Sequence, residues 1–507
     1  MSDHGKDKVN ADVHSSPQSI DVEIGPSDEI NISNRELELE RAVNNYVPDT
    51  DAEKRFVRKL DLIMMPTLWF MYILAYIDRQ NIGNAKVAGM YADLQLTDEQ
   101  YAMLVSIFFI GYLICEVPSN LLLTRSKPSW YMSCLMVGWG TICALMGVVH
   151  NYSGALAIRF FLGAIEAGFF PGVLFLMTCW YKKSEIGKRF SIFYTASVSS
   201  GALSGLLAGA ITGNMEGVAG IRGWRWLYII EGCVTVAAAV GVKFIILDFP
   251  ENTSRFSPEE RQLAIVRMAY DRKTTAARGA MHLTHWQALK AAVADPRTYI
   301  FIVLAIMDLA SCTISYFIPT IVQTQMGFTS VIAQYMTIPI WMVGFVFLII
   351  LSFTADRSRD RRWHITACLG LCFVCTIVSI TVSNTKVLYA MLCLYIAGLY
   401  AALPLILTWT SETIALPSEK RAVVVALVNS IGNLSSVYGS RLWPSTDAPK
   451  YTKGFAVVGT FTGFGAILAA TIPILLNYLP KEGQTKAEKA ILEREQAILG
   501  VVRPSDV

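Results

Sequence analysis

Residues Arg159 to Gly172 read RFFLGAIEAGFFPG, and this stretch lies inside a longer apolar run from Gly154 to Tyr181. A helix that crosses a bilayer needs about 20 mostly apolar residues, so the run is long enough to span. Arg159 and Glu166 are seven residues apart, which places both on one face of such a helix. Because charged side chains are costly in lipid, this face predicts a bundle interior or a water-filled cavity.

The composition of the whole chain is typical of a membrane protein. Of its 507 residues, 53% are hydrophobic and 16% are charged, which is more apolar than soluble domains of this size usually are. The net charge of +3 gives no sign of a nucleic-acid partner. The histidines lie in tails, loops or span ends and the cysteines lie in apolar runs, so we expect no metal site and no cofactor.

Twelve apolar spans can be recognised along the chain, and a charged stretch separates them into two sets of six. The first set is Leu60–Ile77, Tyr101–Leu123, Tyr131–Val149, Gly154–Tyr181, Phe190–Thr212 and Trp226–Asp248. The second set is Tyr299–Gln323, Val331–Ala355, Trp363–Ser383, Val387–Ser411, Ala422–Tyr438 and Gly454–Leu479. We therefore expect an all-α membrane protein with twelve transmembrane helices in two six-helix halves.

The expected domain organisation follows from these spans. It comprises a disordered cytosolic tail (1–54), a first half (55–248), a cytosolic inter-half loop (249–298), a second half (299–480) and a cytosolic tail (481–507). Short loops on the N-terminal side of the membrane carry more Lys and Arg than those on the opposite side. This bias predicts that both termini are cytosolic. We expect a monomer in the plasma membrane.

Five motifs in the chain resemble those of a known family. They are YIDRQNIGNAKVAGM (76–90), FFIGYLICEVPSNLLLTR (108–125), RFFLGAIEAGFFPG (159–172), GWRWLYIIEG (223–232) and APKYTKGF (448–455). Over about residues 55–480 the chain resembles the major facilitator superfamily and, more narrowly, the fungal anion:cation symporters of the allantoate, nicotinate and vitamin permease branch. The resemblance implies a secondary transporter that imports a small organic anion with a proton.

Three acidic residues are candidates for carrying the coupled proton. No histidine lies deep in a span, so a proton pathway has to use carboxylates. Glu166 lies near mid-depth, and Asp308 lies about nine residues into the seventh span, where a hydrogen-bonded contact between helices is an equally good interpretation. Asp78 comes towards the end of the first span. Small residues follow Asp78 without a turn-forming proline, so we expect the first helix to continue past it along a wet cavity.

Five residues are candidates for binding the substrate. Arg79 and Arg159 could each hold a carboxylate, because the guanidinium fork suits bidentate recognition. Arg159 lies too far from Glu166 for a salt bridge, so its partner is either Asp78 or the substrate. The candidates that could donate hydrogen bonds to a substrate are Asn81, Asn429 and Asn433. The structural alternative is that all these groups join helices through satisfied polar networks.

Four residues near the cytosolic ends of the spans are expected to form gate or scaffold contacts: Glu116, Arg125, Asp356 and Arg357. Glu231, beside Trp224 and Trp226, is interpreted as an interfacial anchor. Two other functions stay open, and a third is not supported. The same fold could export an acidic metabolite or act as a nutrient sensor. A membrane enzyme would need a histidine box or a nucleophile with its base, and neither pattern is found in the sequence.

Overall fold

The computed structural model describes residues 37–124, 126–277, 284–358, 360–414 and 418–479. The chain divides into two compact units, Met1–Val47 and Pro48–Val507. In the first unit, residues 37–44 form a helix. The second unit contains the helical bundle.

Within the described residues, twelve helices are long and apolar enough to cross a membrane. Spans 1 to 6 are Asp51–Asp93, Asp98–Glu116, Pro128–Met146, Tyr152–Trp180, Lys183–Asn214 and Gly223–Ile245. Spans 7 to 12 are Pro296–Tyr316, Ser330–Ser358, Arg361–Thr381, Thr385–Thr413, Glu419–Leu442 and Thr452–Asn477. The helix of span 2 continues to Thr124. The fold class and the number of spans expected from the sequence are confirmed.

The two halves repeat one packing scheme. In the first half, span 1 packs on span 5, span 2 on span 4, and span 3 on span 6. In the second half the same offsets recur, with span 7 on span 11, span 8 on span 10, and span 9 on span 12. The halves meet where span 5 contacts span 8 and where span 2 contacts span 11. These two contacts are equivalent, because spans 5 and 11 hold the same place in their halves, as do spans 2 and 8. Such repeats place a binding site at the interface of the halves.

Span 1 is unusually long, and its end is irregular. The α-helix runs from Asp51 to Ala85 and continues as a π-helical segment, Lys86–Met90, in which Gly89 has φ of +105°. The prediction that the first helix continues past Asp78 is confirmed. Single π-helical turns of this kind are frequent at functional sites.

Span 4 is interrupted in its middle. Its two helices are Tyr152–Glu166 and Phe169–Trp180. Pro171 has no N–H to donate to the carbonyl of Ala167 four residues earlier, which explains a break at this point. Glu166 is the last residue of the first helix and is therefore held at a discontinuity in the middle of the bundle.

Two further helices lie between the halves, Pro258–Ala277 and His285–Val293. The helix Pro258–Ala277 is held against the N-terminal half by Arg267, whose side chain is fully buried. Arg267 donates to Glu53 (Nε to Oε1, 2.6 Å), to the carbonyl of Trp180 (3.1 Å) and to Glu185. We call the side of the bundle that carries these helices the linker side, and the opposite side the far side.

Candidate functional site

A cavity lies between the two halves near the middle of the bundle. The N-terminal half contributes aromatic rings and one ion pair, through Tyr72, Tyr76, Arg79, Phe109, Tyr112, Glu166, Phe169, Phe170 and Tyr194. The C-terminal half contributes apolar and neutral polar groups, through Leu309, Cys312, Thr313, Ser315, Tyr316, Tyr400, Leu403, Leu407, Asn429, Asn433 and Ser436. Its free space is about 70 Å³, which is room for a few water molecules.

Arg79 and Glu166 form the charged centre of this cavity. Arg79 Nη2 lies 2.5 Å from Glu166 Oε1, and Nε donates to the same oxygen at 3.2 Å. The guanidinium carbon lies 4.8 Å from the centroid of the Tyr76 ring and 4.9 Å from that of Phe108. Cation–π contacts with these rings stabilise the arginine and limit its directions of movement.

Glu166 uses only one of its two carboxylate oxygens. Its side chain is 1% exposed, and Oε2 has no hydrogen-bond partner among the described residues. A buried carboxylate that is held by a single arginine depends on that arginine for nearly all its compensation. Arg79 and Glu166, both predicted from the sequence as separate candidates, are therefore one unit in the structure.

Asp78 lies behind the cavity wall rather than in it. Its carboxylate is fully buried and accepts hydrogen bonds from Cys143 Sγ and Thr235 Oγ1, each at 3.2 Å. These donors come from spans 3 and 6, so Asp78 connects span 1 to both of them. No basic side chain among the described residues forms an ion pair with it.

Asn81 also points away from the cavity. Its amide nitrogen donates to Glu231 Oε2, and Ser204 Oγ lies 3.5 Å from its amide oxygen. Asn84, one turn further along span 1, donates to the same serine at 2.8 Å. The assignment of Asn81 as a residue that contacts substrate in the cavity is therefore corrected, since its amide is used within a buried network.

Glu231 is part of this network, which sequence reasoning missed. The interpretation of Glu231 as an interfacial anchor is wrong, because the side chain is 5% exposed and bonded to Asn81 inside the bundle. The position of Glu231 around its helix could have predicted that it is buried. Glu231 shares the buried stripe of Gly223–Ile245 with Tyr228 and Thr235, and eight residues from the helix start correspond to about 12 Å of depth.

Arg159 does not line the cavity either. Its side chain is 1% exposed, Nε donates to the carbonyl of Leu104 at 3.1 Å, and the guanidinium carbon lies 5.0 Å from the Phe108 ring centroid. Neither Nη1 nor Nη2 has a hydrogen-bond partner within the described residues. The expected pairing with Asp78 is not formed. Phe108 instead contacts both arginines, of which Arg79 lines the cavity and Arg159 does not.

The C-terminal half places two of its three predicted residues at the cavity. Asn429 and Asn433 line it, and Asn433 Nδ2 donates to the Asn429 carbonyl at 2.9 Å. Asp308 is fully buried outside the lining, and neither of its oxygens has a hydrogen-bond partner among the described residues. Its neighbours Leu309 and Cys312 do reach the cavity.

The predicted gate residues have different partners. Glu116 Oε2 accepts from Ser430 Oγ at 3.0 Å, which is a link between the halves. Asp356 pairs with Arg361 at 2.6 Å inside the C-terminal half. Arg357 is exposed on the linker side. Arg125 lies outside the described residues.

Among the described residues, most hydrogen bonds between the halves lie on the far side, and no sequence pattern predicts them. Ser106 Oγ lies 2.7 Å from Ser440 Oγ, the Tyr101 hydroxyl donates to the Tyr316 carbonyl at 3.2 Å, and Gln334 Nε2 donates to the Asn84 carbonyl at 3.3 Å. Serines and carbonyls have no distinctive pattern, so only the packing of the halves identifies them. The cavity is thus closed by direct contacts on its far side.

Comparison with known proteins agrees with this architecture. An uncharacterised transporter of Schizosaccharomyces pombe is 31% identical over 477 residues, which cover 94% of this chain and 93% of that protein. The MFS-type transporter cnsO of Penicillium expansum is 32% identical over 462 residues, 88% of this chain and 87% of cnsO. A putative tartrate transporter of Agrobacterium vitis is 28% identical over 447 residues, 87% of this chain and 95% of that protein.

Solved structures share the fold at low sequence identity. A bacterial homologue of the human lysosomal transporter Spinster, in an inward-facing and unoccupied conformation, superimposes with a TM-score of 0.63 at 15% identity over 85% of this chain and 97% of that one. The xylose transporter XylE of E. coli, in a partially occluded inward-open conformation, gives 0.63 at 14% identity over 84% and 99%. The sequence model of the Major Facilitator Superfamily matches residues 68–440, and the chain is therefore a member of that superfamily and a secondary transporter.

Proposed function

We propose that this transporter moves a small organic anion together with a proton by alternating access, and that it belongs to the fungal anion:cation symporter branch. The observation that carries the proposal is the Arg79–Glu166 ion pair, 2.5 Å long, in the wall of the central cavity. It is the only ion pair among the described residues that line this cavity, so it is the natural place for a charged substrate to interact.

A substrate carboxylate and Glu166 compete for the same guanidinium. Arg79 already donates two hydrogen bonds to Glu166 Oε1. A guanidinium group is best satisfied by one carboxylate in a bidentate arrangement. A proton on Glu166 removes its charge and weakens its hold on Arg79. The freed guanidinium then binds the carboxylate of the substrate. Binding of the proton and binding of the anion are thereby coupled.

The same exchange keeps the site electrically neutral. The empty site contains one arginine and one carboxylate. The loaded site contains the arginine, the anionic substrate and a protonated Glu166, and its net charge is again zero. A state with the anion but without the proton would leave an uncompensated charge inside the bundle, which is expensive. Movement of the halves is therefore favoured in the empty and in the doubly loaded state.

The lining supports a small planar or hydroxylated acid as the substrate. The rings around Arg79 provide stacking surfaces on the N-terminal side, and Asn429, Asn433 and Ser436 offer hydrogen bonds on the C-terminal side. Nicotinate, allantoate and related vitamins belong to this class. The putative tartrate transporter among the relatives supports an organic acid. We assign the coupled proton to Glu166 rather than to Asp78 or Asp308, because Glu166 alone of the three lines the cavity.

We further propose that the linker side is cytosolic and that the protein lies in the plasma membrane, in keeping with the basic residues of the linker-side loops. The contacts on the far side then close the cavity towards the exterior. In this orientation the conformation described here would exchange its ligands with the cytosol after the halves separate further on the linker side.

Glu166→Gln tests the coupling. Glutamine has nearly the same shape as protonated glutamate, so we expect exchange of labelled organic acid across the membrane to persist while accumulation driven by an imposed pH gradient falls by about tenfold or more. Uptake and exchange would be measured in proteoliposomes with a panel of labelled carboxylates, beginning with nicotinate, allantoate and tartrate.

Asp308→Asn is the matched control, because it removes a buried carboxylate that does not touch Arg79. We expect this variant to accumulate substrate against the gradient as the wild type does. Full pH-driven accumulation by Glu166→Gln would refute the assignment of the proton to Glu166. Transport that ignores the pH gradient in the wild type would refute proton coupling altogether.

A further inference from the structure

A second pocket opens on the far side, directly above the contacts that close the central cavity. Its free space is about 670 Å³, much larger than that of the central cavity. Tyr101 and Ser440 line it, and both also form the closing contacts, since Tyr101 donates to the Tyr316 carbonyl and Ser440 pairs with Ser106. A ligand in this pocket would therefore touch the residues that must separate when the far side opens.

Lys86 provides the buried charge of this pocket. It begins the π-helical segment of span 1, and its side chain is 9% exposed. Its ammonium nitrogen lies 4.2 Å from the ring centroid of Tyr101, 5.2 Å from that of Tyr91 and 5.3 Å from that of Phe317. Within the described part of the chain it forms no hydrogen bond and no ion pair, so its three N–H donors are available to a ligand in the pocket.

The acidic residues of the pocket do not neutralise Lys86 by contact. Both oxygens of Asp98 are occupied, Oδ1 by the Tyr91 hydroxyl at 3.1 Å and Oδ2 by the backbone N–H and hydroxyl of Ser445 at 2.8 and 2.6 Å. Glu99 is exposed at the pocket rim. A cation that is this deeply buried is normally paired, and the pocket beside it is large enough to hold its partner.

We propose that the far-side pocket is a capture site for a small carboxylate, which binds the Lys86 ammonium before it reaches Arg79. The identity of the ligand as a carboxylate rests on the proposed function. Trp443 and Tyr101 line the pocket next to Lys86 and offer faces for the apolar part of an organic acid. Arg441, which is exposed and also lines the pocket, adds positive charge at its mouth.

Chemical protection of Lys86 tests the site without relying on transport. Full-length protein in detergent would be acetylated with N-hydroxysuccinimidyl acetate, and the extent of reaction at each lysine measured by peptide mass spectrometry. Sodium acetate, tartrate and nicotinate are the probes, with sodium chloride at equal ionic strength as the reference. We expect the carboxylates to slow acetylation of Lys86 by at least about fivefold relative to chloride.

Lys243 is the matched control lysine. Its ammonium also lies over an aromatic ring, 3.4 Å from the centroid of Trp130, but at the opposite end of the bundle, so carboxylates should leave its acetylation rate unchanged. Equal rates at Lys86 in carboxylate and chloride would overturn the proposal. Complete absence of acetylation at Lys86 in chloride would also overturn it, because the ammonium would then not be accessible from the pocket.

Two variants separate this inference from the proposed function. In Arg79→Gln the central site is lost, yet protection of Lys86 should persist. In Lys86→Gln we expect uptake from the far side to need at least about fivefold more substrate for half-maximal rate, with a maximal rate within about twofold of the wild type. Lys86→Arg should restore the wild-type substrate concentration for half-maximal rate.

If Lys86 is protected in a wild type that transports no carboxylate, the proposed function fails while the capture site stands. A lowered maximal rate with unchanged half-saturation in Lys86→Gln would contradict a capture role.

Discussion

The two halves of this transporter share a packing scheme but place their charges differently. In the N-terminal half, the carboxylates of Asp78, Glu166 and Glu231 lie inside the bundle, each bonded to side chains of other spans. In the described part of the C-terminal half, Asp308 is the fully buried acid of the bundle interior and has no hydrogen-bond partner, while a second acid, Asp295, is buried at the linker-side end.

This difference shows that repeated packing does not require repeated chemistry. Helices pair through apolar and small residues, which either half can supply. Buried charges need specific partners, and a second set in the other half would add cost without a second substrate to bind. The N-terminal half therefore contributes the ion pair that lines the cavity, and the C-terminal half contributes apolar and neutral polar groups to the same lining.

The largest effect on stability is expected from the buried carboxylate of Asp295, at the linker-side end of the C-terminal half. Asp295 Oδ2 lies 2.7 Å from Arg297 Nη2 and 2.7 Å from Lys420 Nζ, which ties the start of span 7 to span 11. Removing this carboxylate takes away an acceptor that Arg297 and Lys420 share, and breaking a buried ionic cluster costs about 3–5 kcal/mol. We expect Asp295→Ala to lower the unfolding temperature accordingly, as measured by thermal denaturation of the purified protein.

The pH dependence of this effect has a definite sign. Burial alone would raise the pKa of Asp295, but hydrogen bonds from Arg297 and Lys420 outweigh it and hold the pKa below its ordinary value. The stabilisation is then fully present above the ordinary carboxyl pKa and is lost as pH falls through the lower pKa of the folded state. The difference between wild type and Asp295→Ala should stay constant from neutral pH down to about pH 5. A difference that already shrinks between pH 7 and 6 would contradict it.

The second prediction concerns the charged centre of the N-terminal half. Arg79→Gln removes both the partner of Glu166 and the proposed anchor of the substrate, so transport of organic acid should fall by about 100-fold or more. Exchange should fall with pH-driven uptake, unlike in Glu166→Gln. The double variant with Glu166→Gln should be no worse than Arg79→Gln alone, as expected for residues that act as one unit. Additive losses would separate the two residues and weaken the comparison of the halves.

The sequence alone predicts the spans because their signal is long and local. Twenty apolar residues in a row define a membrane helix, and this needs no knowledge of neighbours. It also selected Arg79 and Glu166, since charges within a span are rare enough to be conspicuous. It did not pair them, because the contact joins span 1 to span 4 and depends on how two helices rotate against each other.

The same limit explains the residues that were misplaced. Arg159 and Glu166 share a helical face, yet only Glu166 lines the cavity, because the Arg159 side chain is held by the Leu104 carbonyl and the Phe108 ring of span 2. Asn81 lies three residues beyond Asp78 on the side of span 1 that meets spans 5 and 6. A helical face that is about 100° wide includes both cavity and protein-facing positions, and the neighbouring helices determine which position is which.

The smallest effect on stability is expected when one buried acid in each half is replaced by leucine. Asp308→Leu replaces a carboxyl group that has no hydrogen-bond partner among the described residues with an apolar side chain of the same branching, so we expect the protein to become more stable by about 1–3 kcal/mol. Asp78→Leu leaves the donors Cys143 and Thr235 without their acceptor and should destabilise by about 1–3 kcal/mol. Thermal denaturation of the two variants, measured in the same detergent, gives the sign of each change. If both variants lose stability equally, Asp308 has a partner in the native protein and the C-terminal half also carries a charged network, so the contrast between the halves would no longer hold.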